Sequence, residues 1–208
     1  MDVDPHWDKV FALGTTRSYP AGQPMLLKGS HKGDVLRVVE GWTLVTDPHV
    51  DGSVTFLEIR GRGQLLGETS ALSGKARNAH VTAVCRTVVR AVSCESFLSA
   101  VRTQHELQMG LILHAQERHR TANIRAGLRS FGVVSGLSLL LLELSRTAGS
   151  LLVVGIPQKV LAGALSVTPR TLRGAVADLE GRGALSVRWP VVGITDKAVL
   201  EELARCEG

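Results

Sequence analysis

Residues 156–185 read IPQKVLAGALSVTPRTLRGAVADLEGRGAL, and this stretch holds two short amphipathic helical patterns separated by a break. Apolar residues recur at helical spacing over 161–165. Thr168 and Pro169 then supply an N-cap hydroxyl and a proline for the first helical position, so a second helix is predicted to begin at Pro169. The apolar residues of the second pattern share one helical face: Leu172, Ala175, Val176 and Leu179. The stretch predicts a helix-turn-helix.

The charges of this stretch favour a binding role. Lys159, Arg170 and Arg173 are its only ionised side chains before Asp178, so all are cationic. A basic helix face with a free N-terminus suits the major groove of DNA, where phosphates set the register and side chains read base edges. An ordinary helical hairpin with a solvated basic face is the alternative, because such patterns are often false positives. The residues expected to contact DNA are Lys159, Thr168, Arg170, Thr171 and Arg173.

The flanking segments complete a domain around the two helices. Gly181 to Gly183 should end the second helix, and the apolar runs 185–189 and 191–194 on either side of Pro190 predict a β-hairpin, or wing. Upstream, residues 137–144 read LSLLLLEL, which is too apolar for a surface helix and too short to span a bilayer. We expect a buried first helix there, preceded by a hinge at residues 131–135.

Composition limits the class of protein. The chain has 208 residues, 44% of them hydrophobic, which allows one large or two small domains with real cores. It contains no run of eighteen apolar residues, and its acidic start, MDVDPHWDKV, does not resemble a signal peptide, so a cytoplasmic protein is expected. The net charge is +5, with the main surplus in residues 98–134 (5 Lys and Arg against 2 Asp and Glu). The three cysteines, an odd number without CxxC spacing, indicate neither a disulfide framework nor a metal site.

Residues 17–92 have the pattern of β structure. Short alternating apolar runs are separated by glycine- and proline-containing bends, which predicts a β-sandwich or barrel. The runs are MLLK, DVLRVVE, WTLVT, SVTFLEIR, HVTAV and TVVRAV.

One segment inside the β region differs in character: residues 63–79, GQLLGETSALSGKARNA. Gly67 would let the backbone approach a ligand, the amides of Glu68 and Thr69 would point at an anion, and Arg77 would pair with it. The Glu68 carboxylate would accept a ribose hydroxyl. These residues predict a phosphate-and-sugar pocket. The alternative is that Glu68 and Arg77 form an ion pair with each other in a vestigial pocket.

Four short motifs support a resemblance to a known family. LGE at 66–68 is followed at nine residues by RNA at 77–79, after GD at 33–34 and VVEG at 38–41. This pattern resembles the phosphate-binding cassette of cyclic-nucleotide-binding domains. With the winged helix, the chain resembles the cyclic AMP receptor protein/FNR superfamily of bacterial transcription regulators.

The resemblance implies an α+β fold with three parts. These are a cyclic-nucleotide-binding-like β-roll (a double-stranded β-helix) at 1–97, a dimerisation helix and hinge at 98–134, and a winged helix-turn-helix at 135–208. It further implies a homodimer that binds double-stranded DNA at a two-fold site, with RNA polymerase as another partner and no membrane association. No Ser/His/Asp spacing, metal cluster or Walker-type loop indicates an enzyme. A ligand-binding module whose winged helix binds protein is the alternative.

The resemblance also assigns ligand residues, with departures. Glu68 matches the ribose-binding glutamate, Arg77 the phosphate-binding arginine, and Asn78 stands where Ser or Thr is usual. Leu66 replaces an aromatic residue and Thr69 an aliphatic one, so weak or absent cyclic AMP binding is expected. The effector is left open as cyclic AMP, another cyclic nucleotide or none. The expected ligand residues are Gly67, Glu68, Thr69, Arg77, Asn78 and, on the long helix, Thr121, with Asn123 as second choice.

The longest helical pattern runs from Phe97 to about Arg129 without proline. The resemblance makes it the dimer helix, and positions at a period of about 3.5 residues suit a parallel helix pair. A helix packed only on its own β-roll is the alternative. The expected dimer seam is Val101, Gln108, Ile112, Ala115, His119, Ala122 and Ala126.

Overall fold

The structure is a computed structural model and describes residues 5–31, 33–128 and 132–205. The chain divides into two compact units, with the boundary between Gln116 and Glu117.

The N-terminal unit is built from two antiparallel four-stranded sheets. One sheet has the strand order β1-β8-β3-β6 and the other β2-β7-β4-β5. Three helices lie wholly in this unit, and a fourth begins in it and continues past Gln116 into the C-terminal unit. The elements are α1 (Pro5–Ala12), β1 (Thr15–Tyr19), β2 (Pro24–Leu26), β3 (Val35–Glu40), β4 (Thr43–Pro48), β5 (Val54–Arg60), β6 (Leu65–Leu66), α2 (Glu68–Ser73), β7 (His80–Ala83), β8 (Thr87–Val92), α3 (Cys94–Thr103) and α4 (His105–Leu128). This β-roll confirms the predicted fold class.

Two apolar cores hold this unit together. Between the sheets, alternate strand residues such as Leu36, Val38 and Val89 are buried, as period-two patterning requires. The second core joins the helices to the roll around Trp7, whose ring stacks on Phe97 with centroids 5.6 Å apart. Helix α1, which carries Trp7, was not expected from the sequence. Its eight residues are too few for helical periodicity to stand out.

The prediction of one helix from Phe97 to Arg129 is wrong, because the helix breaks at Gln104. Helix α3 ends at Thr103, α4 runs from His105 to Leu128, and Arg129 lies outside the described residues. Gln104 is extended, at φ −122° and ψ 111°. Val101 and Leu107 both pack into the core around Trp7, and a bend lets both helices reach it. Val101 is thus buried within its own chain, and the Gln108 side chain donates from Nε2 to the Val101 carbonyl at 2.9 Å. Val101 is therefore not available to the expected dimer seam, whereas Gln108 is only half-buried. The proposed boundary at residue 98 falls inside α3.

The C-terminal unit is a helical bundle with a small sheet. Its elements are α5 (Val133–Ala148), β9 (Leu152–Val154), α6 (Gln158–Ala164), α7 (Pro169–Gly181), β10 (Leu185–Arg188), β11 (Val191–Ile194) and α8 (Lys197–Leu203). The leucines of α5 are largely buried, as LSLLLLEL predicted. Strands β10 and β11 form the predicted wing, and β9 adds an unpredicted third strand beside β11. The hinge expected at 131–135 is partly wrong: Val133 already begins α5, and Phe131 lies outside the described residues.

In the part of the chain that the structure describes, every helix is too short or too polar to cross a membrane.

Candidate DNA-recognition helix and anion pocket

The predicted helix-turn-helix is formed by α6 and α7. Ser166 turns the chain between them at φ 55°, in the left-handed region, and the Val167 amide donates to the Ala162 carbonyl at 3.0 Å. The Thr168 hydroxyl then caps α7 by accepting the Thr171 amide at 3.1 Å. Pro169 takes the first helical position, as predicted.

One face of α7 is buried and the other is free. The predicted stripe of Leu172, Ala175, Val176 and Leu179 is buried. Arg170, Thr171 and Arg173 are exposed, and Lys159 is exposed on α6. Among the described residues, the cations Lys159, Arg170 and Arg173 form no ion pair.

The acidic residues of α7 lie toward its other end and are engaged. Asp178 accepts from Arg182 at 3.0 Å, and the Glu180 carboxylate accepts the Val187 amide at 2.9 Å. The N-terminal half of α7 therefore presents positive charge and a hydroxyl without a competing carboxylate. This arrangement favours a polyanion as the partner.

The cassette brings Gly33, Gly67 and Arg77 together. Gly67 precedes α2 at φ 83°, and a side chain there would collide with the Arg77 guanidinium. A Cβ at Gly33 would lie 3.1 Å from Nη2 of Arg77. Gly67 thus leaves room for the arginine, and Gly33 lies in tight contact with it.

Arg77 is buried and only partly satisfied. Its Nη2 donates to the Asp34 carbonyl at 2.9 Å, while its Nη1 has no hydrogen-bond partner. Burial lowers the pKa of Arg77, although the negative charge of Glu68 opposes that shift. A buried unpaired donor on a cation favours the binding of an anion, because an acceptor there would remove the desolvation cost.

Glu68 is paired with Arg60, a residue that the sequence did not single out. Nη1 of Arg60 lies 3.4 Å from Glu68, its Nε donates to Glu58 at 2.9 Å, and Nη1 also donates to the Leu65 carbonyl. Burial disfavours the charge of Arg60, but Glu68 and Glu58 outweigh it and raise its pKa. The alternative of a direct Glu68–Arg77 ion pair is not supported, because Arg60 is the arginine that pairs with this carboxylate and Nη1 of Arg77 has no partner.

The other expected ligand residues are exposed or have side chains outside the described residues. Thr69 is exposed and its hydroxyl donates to Glu68 at 3.3 Å, while Asn78 is exposed and Leu66 is fully buried. Thr121 lies in α4, but its side chain and that of Asn123 fall outside the described residues. The structure therefore gathers Gly67, Glu68 and Arg77 and leaves the role of the others open.

These contacts fit one half of a cyclic nucleotide better than the other. The unpaired Nη1 of Arg77 fits the phosphate, whereas the Glu68 carboxylate expected to bind ribose already accepts from Arg60 and Thr69. A carboxylate has about four acceptor positions, so a hydroxyl would share it with these donors.

The chain is similar to known proteins over most of its length. The cyclic nucleotide-binding domain family matches residues 16–104. The cyclic AMP receptor protein of Thermus thermophilus is 27% identical over 190 residues, which cover 90% of this chain and 87% of that protein.

Two solved structures have the same fold. FixK2 from Bradyrhizobium japonicum has a TM-score of 0.80 at 19% identity and covers 94% of this chain and 100% of its own. A CRP/FNR family transcriptional regulator from Thermus thermophilus has a TM-score of 0.70 at 21% identity and covers 93% and 100%. The cassette, the β-roll and the winged helix are thus all in place, and the chain is similar over most of its length to members of the cyclic AMP receptor protein/FNR superfamily, with residues 16–104 matching the cyclic nucleotide-binding domain family.

Proposed function

We propose that this protein is a homodimeric transcription regulator that binds double-stranded DNA through α7. The observation that carries the proposal is the exposed, acid-free face formed by Arg170, Thr171 and Arg173 at the capped end of that helix. Lys159 on α6 adds a cation, and the Thr168 hydroxyl serves as the cap. In this proposal residues 135–208 are the DNA-binding part, residues 1–97 the effector part, and the protein acts in the cytoplasm.

The test begins with selection of a binding site from randomised duplex DNA. Arg170→Ala and Arg173→Ala should each weaken binding to the selected site by about 1–3 kcal/mol if the arginine reads a base. A phosphate contact should instead flatten the salt dependence of the affinity.

Lys197→Ala is the matched control, because it removes one exposed positive charge from α8, where Lys197 pairs with Glu201. The proposal predicts little effect of this change. If the variant that combines Arg170→Ala with Arg173→Ala binds the selected duplex as tightly as Lys197→Ala does, α7 is not the helix that recognises DNA.

Dimerisation through α4 is the second part of the proposal. Among the side chains of this helix that the structure describes, three large apolar ones are exposed: Met109, Ile112 and Leu113, the last with 60% of its surface accessible. An exposed apolar group on a long helix favours burial against a second copy. A dimer would place two recognition helices about 34 Å apart, one turn of DNA.

Sedimentation equilibrium tests the dimer. Leu113→Glu should weaken self-association, whereas Leu57→Glu, on the exposed side of β5, should not. A monomer mass at every concentration of the unaltered protein would contradict the proposal.

For the effector, we propose that cyclic AMP binds weakly or not at all and that DNA binding does not depend on it. The support is that Glu68 already pairs with Arg60 and that Leu66, Thr69 and Asn78 depart from the superfamily's pattern. The name of the Thermus relative indicates cyclic AMP as that protein's ligand. Calorimetric titration with cyclic AMP and cyclic GMP tests this point. Micromolar or tighter binding that disappears on Arg77→Ala would contradict it.

A further inference from the structure

A second basic site lies on the β-roll, apart from the cassette. It is a groove of about 290 Å³ bounded by α1, β3, the turn after β5 and β8. The charged residues that line it are Arg37, Arg62, Arg90 and Asp8, so positive charge exceeds negative by two. Two other lining residues, Ala12 and Val39, are exposed and apolar, whereas Phe11 and Val38 are buried in the two cores.

Arg37 is the buried cation of this groove. Only 6% of its side chain is accessible, yet its ion-pair partner Asp8 is 59% accessible. Besides Asp8, the one acceptor recorded for Arg37 among the described residues is the Gly63 carbonyl, at 3.4 Å from Nε. A guanidinium has five N–H donors, so Arg37 keeps donor capacity that these two partners do not use.

Arg62 and Arg90 differ in how far they are engaged. Arg62 is exposed, and no acceptor is recorded for it in the part of the chain that the structure describes. Arg90 donates to the Phe11 carbonyl at 3.0 Å, to the Thr16 hydroxyl at 2.9 Å and to the Ala12 carbonyl, which ties the end of α1 to β8. Arg62 is therefore free to reach a ligand, while Arg90 contributes a fixed positive charge.

We propose that this groove binds a small organic phosphate monoester, with Arg37 and Arg62 as direct donors. Guanidinium groups match phosphate oxygens in pairs, and a dianion would balance the surplus of two positive charges. The volume suits a small molecule, since ligand pockets begin at about 300 Å³. The ester's organic group would lie against the exposed side chain of Val39. The exposed Asp8 carboxylate competes for Arg37, so the ligand would displace it.

Phenyl phosphate is the probe, and phenyl sulfate, a monoanion of similar shape, is its control. Titration of the full chain, followed by calorimetry and by amide chemical shifts, should show tighter binding of phenyl phosphate. Arg62→Gln should weaken it about tenfold or more, because a charge-assisted hydrogen bond is lost. Arg86→Gln removes an exposed arginine that does not line the groove and should leave affinity unchanged.

Two further variants make the assignment specific. Asp8→Asn should tighten binding several-fold, because it removes the competing carboxylate, and should enlarge the rise in melting temperature that the ligand causes. Arg77→Gln tests whether the probe occupies the cassette instead, so binding should persist in that variant. The proposal is overturned by equal affinity for the two probes, by no binding at 10 mM (about the weakest useful range), by loss only in Arg77→Gln, or by no effect of Arg62→Gln.

Discussion

Replacement of Arg60 by leucine tests the buried ion network beneath the cassette. Only 12% of the Arg60 side chain is accessible, and it donates to Glu58, to Glu68 and to the Leu65 carbonyl. Its loss leaves the buried Glu68 and the half-buried Glu58 without this partner. Removal of one member of a buried charge network costs about 3–5 kcal/mol. We therefore expect the free energy of unfolding to fall by that amount and the melting temperature of the N-terminal unit to fall by about 10 °C or more.

Urea unfolding followed by tryptophan fluorescence measures this loss, because the buried Trp7 and Trp42 both report on the N-terminal unit. Arg86→Leu is the matched control. Arg86 is 68% accessible and lies 3.8 Å from the exposed Glu40, so its loss should cost about 1 kcal/mol or less. The reasoning is refuted if the two leucine variants differ in stability by less than about 1 kcal/mol.

Three other changes test the cap of α7, the anchor of α1 and one surface ion pair. Thr168→Ala should lower the free energy of unfolding by about 1 kcal/mol and speed amide hydrogen exchange in α7 about fivefold, while Thr168→Ser should do neither. Equal exchange rates in the two variants would show that the hydroxyl cap does not stabilise the helix. Trp7→Ala should cost about 3–5 kcal/mol in urea unfolding, and Trp7→Phe less, because a ring remains against Phe97. The Lys28 ammonium donates to the Asp47 carboxylate and lowers the pKa of that carboxyl. The contribution of this ion pair to folding stability is therefore present at a pH above the ordinary Asp pKa of 3.8 and is lost as the pH falls through the lower pKa of the folded protein. An NMR titration of Asp47 that is unchanged by Lys28→Ala would contradict that cause.

The sequence by itself determined the helix-turn-helix and the wing. Thr168 and Pro169 start α7 through a hydroxyl cap and a fixed backbone angle, and apolar residues at a 3.6-residue period define its buried face. These signals act within a few residues of each other, so they can be read without the fold. The cassette was readable for the same reason: Gly67, Glu68 and Arg77 lie within one short segment, and the resemblance to a known pattern assigned them roles.

Tertiary structure decided the features that depend on distant segments. Arg60 contacts Glu68 from the end of β5, and no local sequence spacing indicates that contact. The sequence shows only that Glu58 and Arg60, two residues apart, lie on the same side of a strand. The break between α3 and α4 falls at Gln104, which is not a helix-breaking residue type. It is a consequence of packing, because both helices bury side chains in one core. The break in the helical pattern at Gln104 and the pairing of Glu68 with Arg60 both depend on which surfaces come into contact when the chain folds. Neither can therefore be derived from local sequence.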